Sequence, residues 1–273
     1  MGRIIVVLLL LFQAVIQPQD FIQKLKLSAG NISQAVTENL RWYDLPIGAV
    51  YLTGKYFAPD QDDRIKLRSA GIDDEIQRRL GISGRYSFGS MDKNIIPQDI
   101  LLARTLYNVA YDLFSGSADG KENHRHAFLF YKSLVYTYTL TEFAKNWTRR
   151  QRPDSSNMES FFSGHSATTF AAASFLSREL NDYINQKMPE KSIPRFALKF
   201  ASFSALYGWA SYVAYSRMRD NKHYFSDVLI GALTGTAVSN LVYNFYITNR
   251  NSPVDINLGI IRSAPSFSLT IVL

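Results

Sequence analysis

Two histidines, three cations and a Ser-Gly pair, spread over three short stretches, are the residues of this sequence whose types and spacing suit chemistry on an anion. The first stretch is Lys145-Asn-Trp-Thr-Arg-Arg-Gln-Arg152-Pro153. Arg152 lies seven positions after Lys145, two helical turns, which predicts that both share one helix face. Pro153 disfavours helical backbone at the residue before it, so the Arg152 guanidinium is expected where helix gives way to loop. Lys145, Arg149, Arg150 and Arg152 have no acid among them and repel one another unless an anion lies nearby. Taken alone, the cluster also fits a solvated basic helix end, favoured by the helix dipole.

The second stretch, Ser160-Phe-Phe-Ser163-Gly164-His165-Ser166, runs into an alanine-rich segment that reads as a helix. A helix N-terminus offers unpaired backbone N–H groups and the positive end of a dipole, which together make an anion site. Gly164 lets the backbone come close to a ligand, and His165 beside it is placed to donate a proton. In the third stretch, Ser216-Arg217-Met-Arg-Asp-Asn-Lys-His223-Tyr-Phe-Ser-Asp227, His223 and Asp227 stand four apart. That spacing predicts one helix face, with the carboxylate bonding one ring nitrogen and the other nitrogen left free as nucleophile or base. Arg217 is expected in a charged loop returning to the same pocket.

The elements that must position these residues are predicted to be helices. Apolar residues recur at helical spacing over Asp99–Phe114, Ala127–Trp147, Ser166–Ile184, Phe196–Tyr215 and Ser226–Tyr246. Ala167, Ala171, Ala172, Ala173, Gly231, Ala232 and Gly235 let such helices approach closely. The expected fold is therefore an all-α bundle of about five to seven core helices, largely soluble, with its central helices buried. Near the end, Val254–Ile260 and Phe267–Ile271 alternate apolar and polar around Ser263-Ala264-Pro265, which predicts a C-terminal β-hairpin. The domain organisation expected is 1–20 as signal peptide or anchor, 21–98 as helices and loops packing on the bundle, 99–250 as the helical core, and 251–273 as the hairpin extension. Within 59–98, loops are expected around a short amphipathic helix at Asp73–Leu80.

Bulk properties narrow the function classes. The 273 residues carry 47% apolar side chains, which excludes a disordered chain, and a net charge of +7, which suits anionic partners. No cysteine is present, which excludes disulfides, thiolate chemistry and cysteine-ligated zinc. Arg3, the apolar run Ile4–Phe12 and the polar breaker after it describe a secretory signal peptide, short of the ~20 residues of a membrane span. Export is therefore expected, to a bacterial periplasm, with membrane-surface association. His124 and His126 read as exposed loop histidines and Asp60–Asp63 as a solvated acidic turn. Trp147 and the tyrosines read as core and helix-surface residues, not as a platform for nucleic acid.

Lys145 with Arg152-Pro153, Ser163-Gly164-His165, and Ser216-Arg217 with His223 and Asp227 together resemble the three-part signature of the type 2 phosphatidic acid phosphatase superfamily. That superfamily also holds class A bacterial acid phosphatases and vanadium-dependent haloperoxidases. One departure is Phe162, where the family usually has proline before its serine. The resemblance implies that His223 attacks phosphorus and forms a phosphohistidine, that Asp227 orients it, and that His165 protonates the leaving oxygen and then deprotonates water. It implies that Lys145, Arg152, Ser163, Gly164 and Arg217 hold the phosphoryl oxygens as charge develops. No metal or other cofactor is implied. The substrate expected is a phosphorylated lipid or a small phosphate ester. The alternatives are a vanadate-dependent haloperoxidase, a soluble non-specific acid phosphatase, and a non-enzymatic protein binding anionic surfaces.

Overall fold

The computed structural model describes residues 18–41, 44–69, 71–81, 96–115, 120–248, 254–261 and 264–271. Of the segment 1–20 expected as signal peptide or anchor, residues 1–17 lie outside this range and residues 18–20 open a helix. Among the described residues the chain is all-α with eight α-helices, and its strands are short pairs. Helices α1 (Pro18–Thr37), α2 (Leu45–Tyr56), α3 (Gly71–Leu80) and α4 (Pro97–Ser115) precede α5 (Gly120–Trp147), α6 (Gly164–Lys187), α7 (Ile193–Arg219) and α8 (Phe225–Tyr243). A π-turn, Asn244–Thr248, continues α8. Strand β1 (Ile65–Lys66) pairs in parallel with β2 (Thr148–Arg149) directly after α5. Strands β3 (Val254–Ile261) and β4 (Ala264–Ile271) pair antiparallel in the register Ile256↔Leu269, as the alternation anticipates. Ala264 and Pro265, expected in the turn, already belong to β4.

Two compact units make up the chain. The first comprises residues up to Leu40 with Ile100–Phe128, and its interior is polar. Asp112 is fully buried and its Oδ2 accepts from Asn31 Nδ2 at 3.2 Å and meets His124 Nε2 at 2.8 Å. His124 is thus a buried helical residue, which corrects the exposed-loop expectation. Helix α5 already begins at Gly120, four residues before it. A Cβ on Gly120 would stand 1.7 Å from Asp112 Oδ1, so a larger residue there forces the Asp112 and Asn31 side chains to move.

The second unit comprises Arg41–Asp99 and the chain from Leu129 onward. Its spine is α6, which packs most extensively on α8 and then on α7. Ser163 caps α6, its hydroxyl accepting from the Ser166 amide at 3.4 Å, and Ala167, Ala171, Ala172 and Ala173 are fully buried. Small residues on α8 make the close contact possible. A Cβ on Gly235 would lie 1.9 Å from the Ala167 carbonyl oxygen, and one on Gly231 would lie 2.6 Å from that of Ser163. Helix α7 starts at the Ser192 cap with Pro194 in its first turn and ends on Arg217 and Arg219, cations that suit a helix C-terminus.

Burial is concentrated on α5 and α6, not spread over all the central helices. Phe196, Phe200 and Phe203 on α7, and Leu229, Ile230, Leu233, Leu241 and Phe245 on α8 and its extension, are exposed. On α8 the glycines face α6 while these large side chains face away from it. Phe225–Thr248 is, among the described residues, one helix long and apolar enough to cross a membrane, with about a third of its apolar window buried.

Candidate active site

The three stretches meet where α5 ends and where α6 and α8 begin. Helix α5 stops at Trp147, because the next two residues extend to pair with Ile65 and Lys66. Arg152 therefore sits in a loop, as Pro153 after it predicts, and does not share a helix face with Lys145 as the seven-residue spacing suggests. The loop is tied down by bonds from the Arg152 amide to the Asn157 carbonyl (3.0 Å) and from the Asp154 amide to the Asn221 carbonyl (2.9 Å). Lys222 Nζ donates to Asp154 Oδ2 at 2.6 Å. This pins the Arg152 loop to the turn that carries His223.

Arg217, expected in a loop, occupies the last turn of α7, is buried, and places Nη2 3.7 Å from Asp220 Oδ2. The chain then reverses. Asn221 takes the left-handed φ of 54°, which asparagine tolerates, and the Lys222 and His223 amides both return to the Arg217 carbonyl at 3.0 and 3.3 Å. That reversal brings His223 back beside Arg217.

His223 is buried, with 3% exposure, and its Nδ1 stands 2.7 Å from the carbonyl oxygen of Ser160. A carbonyl only accepts, so Nδ1 carries the proton and Nε2 keeps its lone pair. Asp227 does not touch the ring, contrary to the expected His–Asp contact. It sits at the third position of α8, where its Oδ2 accepts from the Tyr224 amide at 2.9 Å and from Ser160 Oγ at 2.6 Å. Its Oδ1 accepts from Arg150 Nη1 at 2.5 Å. The first turn of a helix is a favourable place for a carboxylate, and this placement turns Asp227 away from the imidazole. Sequence reasoning missed Ser160 and Arg150 as site residues. Arg150 was visible only as one of four clustered cations.

Burial, and then the positive charges of Arg152, Arg217 and Lys145, hold the His223 imidazole well below its ordinary pKa, with the Ser160 carbonyl opposing them. These cations act on the ring electrostatically, so the structure brings all three sequence-predicted cations around the histidine. Lys145 also lies beside Gly164, since a Cβ there would stand 3.7 Å from Lys145 Nζ. Its present counter-charge is Glu142, whose Oε1 is 2.9 Å from Nζ. Arg152 Nε is buried and has no hydrogen-bond partner among the described residues. Ser163 is fully buried at the start of α6, and His165 is exposed one residue beyond Gly164. The Phe161–Phe162 peptide leading into Ser163 is cis.

A helical scaffold thus gathers Arg152, Arg217 and Lys145 near one buried histidine, beside the N-terminus of α6. Residues 127–251 match the family model of the PAP2 superfamily. Over 94 residues it is 36% identical to lipid A 1-phosphatase of Porphyromonas gingivalis, a match covering 34% of this chain and 18% of that one. It is 31% identical over 121 residues to phospholipid phosphatase 2 of Bos taurus, covering 42% of this chain and 39% of the relative. The Rattus norvegicus counterpart is 33% identical over 118 residues, 42% of this chain and 40% of its own length. The chain thus matches two fifths or less of these relatives. No solved structure matches it.

Proposed function

We propose that this protein is an exported, metal-independent phosphatase that removes phosphate from lipids through a phosphohistidine intermediate. The observation that carries the reading is His223 itself, neutral by burial, with Nδ1–H tied to the Ser160 carbonyl and Nε2 left as a nucleophile among three cations. Nε2 attacks phosphorus, the P–O bond to the leaving group breaks, and His165 delivers a proton to the departing oxygen. Water then attacks the phosphohistidine, gives its proton to His165, and returns His223 to the neutral state. Lys145, Arg152 and Arg217, with Ser163 and the Gly164 amide, meet the charge that grows on the phosphoryl oxygens. The unpartnered Nε of Arg152 suits that role, because a buried donor costs free energy until an acceptor arrives.

A lipid substrate is supported by two features. The relatives carry the names lipid A 1-phosphatase and phospholipid phosphatase 2. The exposed apolar side chains of α7 and α8 give the same unit a face suited to lipid. The test is a phosphate-release panel of lipid and soluble esters, run on wild type and His223→Ala. Release by wild type, lost in the variant and greatest on lipid phosphates, is the expected result; no release from any substrate sinks the enzymatic reading. Vanadate added to the same assay inhibits a phosphatase, whereas halide oxidation in its presence identifies a haloperoxidase.

A further inference from the structure

Helix α3, which lies outside the region matched to the superfamily, reaches the reaction centre through one carboxylate. Asp73 is 1% exposed, and its Oδ2 accepts from Arg150 Nη2 at 2.6 Å. Its Oδ1 accepts the Ser226 amide at 2.9 Å, and Ser226 Oγ donates to Oδ2 at 2.8 Å. Arg150 Nη1 in turn donates to Asp227 Oδ1, and Ser160 Oγ donates to Asp227 Oδ2. The Ser160 amide donates back to the Arg150 carbonyl at 3.1 Å. The carbonyl of that same Ser160 receives the His223 ring proton. Arg150 and both carboxylates are at most 4% exposed, so this is a buried carboxylate–guanidinium–carboxylate chain that ends on the hydrogen bond holding the imidazole.

The rest of α3 grips the same turn. Gln77 Nε2 donates to the Met218 carbonyl at 3.0 Å and also to Asn221 Oδ1. Arg219 Nη1 donates to the Leu80 carbonyl at 2.8 Å. Ile76 and Leu80 pack on Ala214, Met218 and Val228. Each of these contacts falls on a residue within the 214–228 segment that presents His223.

We propose that Asp73 is a positioning residue for His223: through Arg150, Asp227 and Ser160 it fixes the ring orientation and the Nδ1–H tautomer that leaves Nε2 free. The rate consequence rests on the phosphatase reading above; the orientation does not. Geometry that holds a reacting atom in place is worth up to about 100-fold in rate, and a lost support shows in kcat before KM.

The test uses the full-length protein as wild type, Asp73→Asn, Asp227→Asn and the double variant. Asparagine is nearly isosteric with aspartate and leaves Arg150 its second carboxylate partner, Asp227. Asp73→Asn is expected to lower kcat about 10- to 100-fold with KM within about 2-fold. In the double variant the Asp73 change adds nothing further, because its route to the ring is already cut. A purely structural role predicts a lower Tm, additive effects and an unchanged ring. The second readout needs no turnover. The chain has four histidines, so ¹⁵N-histidine NMR with His223→Gln as reference identifies the His223 signals. The Nδ1–H tautomer expected in wild type becomes a mixture in Asp73→Asn. An unchanged tautomer in that variant overturns the proposal even if the substrate panel is silent. If Asp73→Asn fails to fold, Ser226→Ala removes one of the serine's two bonds to Asp73 and its bond from Arg150, and is judged by the same two readouts.

Discussion

His223 presents Nδ1 to the Ser160 carbonyl at 2.7 Å, while Asp227, four residues on, bonds the Ser160 hydroxyl at 2.6 Å and leaves the ring alone. The carboxylate therefore acts on the histidine at one remove. Where a carboxylate holds a catalytic imidazole directly, its removal costs about 10,000-fold in kcat. Asp227→Asn is expected to lose about 100-fold or less, because the carbonyl that fixes the tautomer remains. Steady-state kinetics on the best substrate of the panel checks this. A loss near the larger figure means that the ring and the carboxylate meet during turnover.

The depressed pKa of His223 sets the acid limb of the rate profile. Only the neutral ring attacks phosphorus, so kcat/KM falls as pH drops through the free-enzyme pKa of His223. Burial and the three cations disfavour the imidazolium, which puts that limb well below the ordinary value of 6.5. Arg152→Ala removes one positive charge, makes the imidazolium less costly, and moves the limb up in pH. The substrate's own ionisation near pH 6 is common to both enzymes, so the shift between them reports the histidine. Stability follows the same sign. Below about pH 6.5 the unfolded chain takes up a proton that folded His223 refuses, so this contribution to stability, present at higher pH, is lost as pH falls. A limb in wild type at or above 6.5 contradicts the ring environment described here.

The parts of the site legible in the sequence were those encoded by local spacing. Ser163-Gly164 preceding an alanine-rich run identifies a helix N-terminus, and the cations preceding Pro153 and His223 include those that the fold gathers near the His223 ring. What spacing hid was tertiary. Arg152 left its expected helix face because Thr148 and Arg149 pair with Ile65 and Lys66, a contact 83 positions away in sequence. Asp73 looked like the acidic first turn of an exposed amphipathic helix. Its partner Ser226 is 153 positions distant, and no local pattern links them. The charged neighbours of Arg217 suggest a loop, whereas a helix C-terminus welcomes that charge.

Close packing of α6 on α8 gives a test independent of activity. An alanine at Gly235 brings a Cβ to 1.9 Å from the Ala167 carbonyl oxygen, backbone that cannot swing aside. Gly235→Ala is therefore expected to cost about 1–3 kcal/mol or more, a Tm loss of roughly 5 °C. Gly208 on α7 is the control, since nothing lies within 4 Å of its added Cβ and alanine favours helix by about 1 kcal/mol. Thermal unfolding of the two variants should move in opposite directions; equal shifts mean the helices are not packed as described.

Glu142 offers the last test, because it pairs with Lys145, the cation proposed to meet the phosphoryl oxygens. The pair is 2.9 Å apart and only partly buried, 18% and 32% exposed. Such a pair is worth about 0–1 kcal/mol, enough to hold the ammonium in place but not to keep it from an arriving phosphate. Glu142→Gln removes the pairing charge and is expected to lower the KM for a phosphate ester and the inhibition constant of vanadate by about 2- to 5-fold. In the same variant kcat stays within about 2-fold, since uniform binding alone changes. Raising the salt concentration shrinks the difference, as it does for any partly exposed ion pair. If Glu142→Gln instead raises KM, the carboxylate orients Lys145 for the substrate and does not screen it.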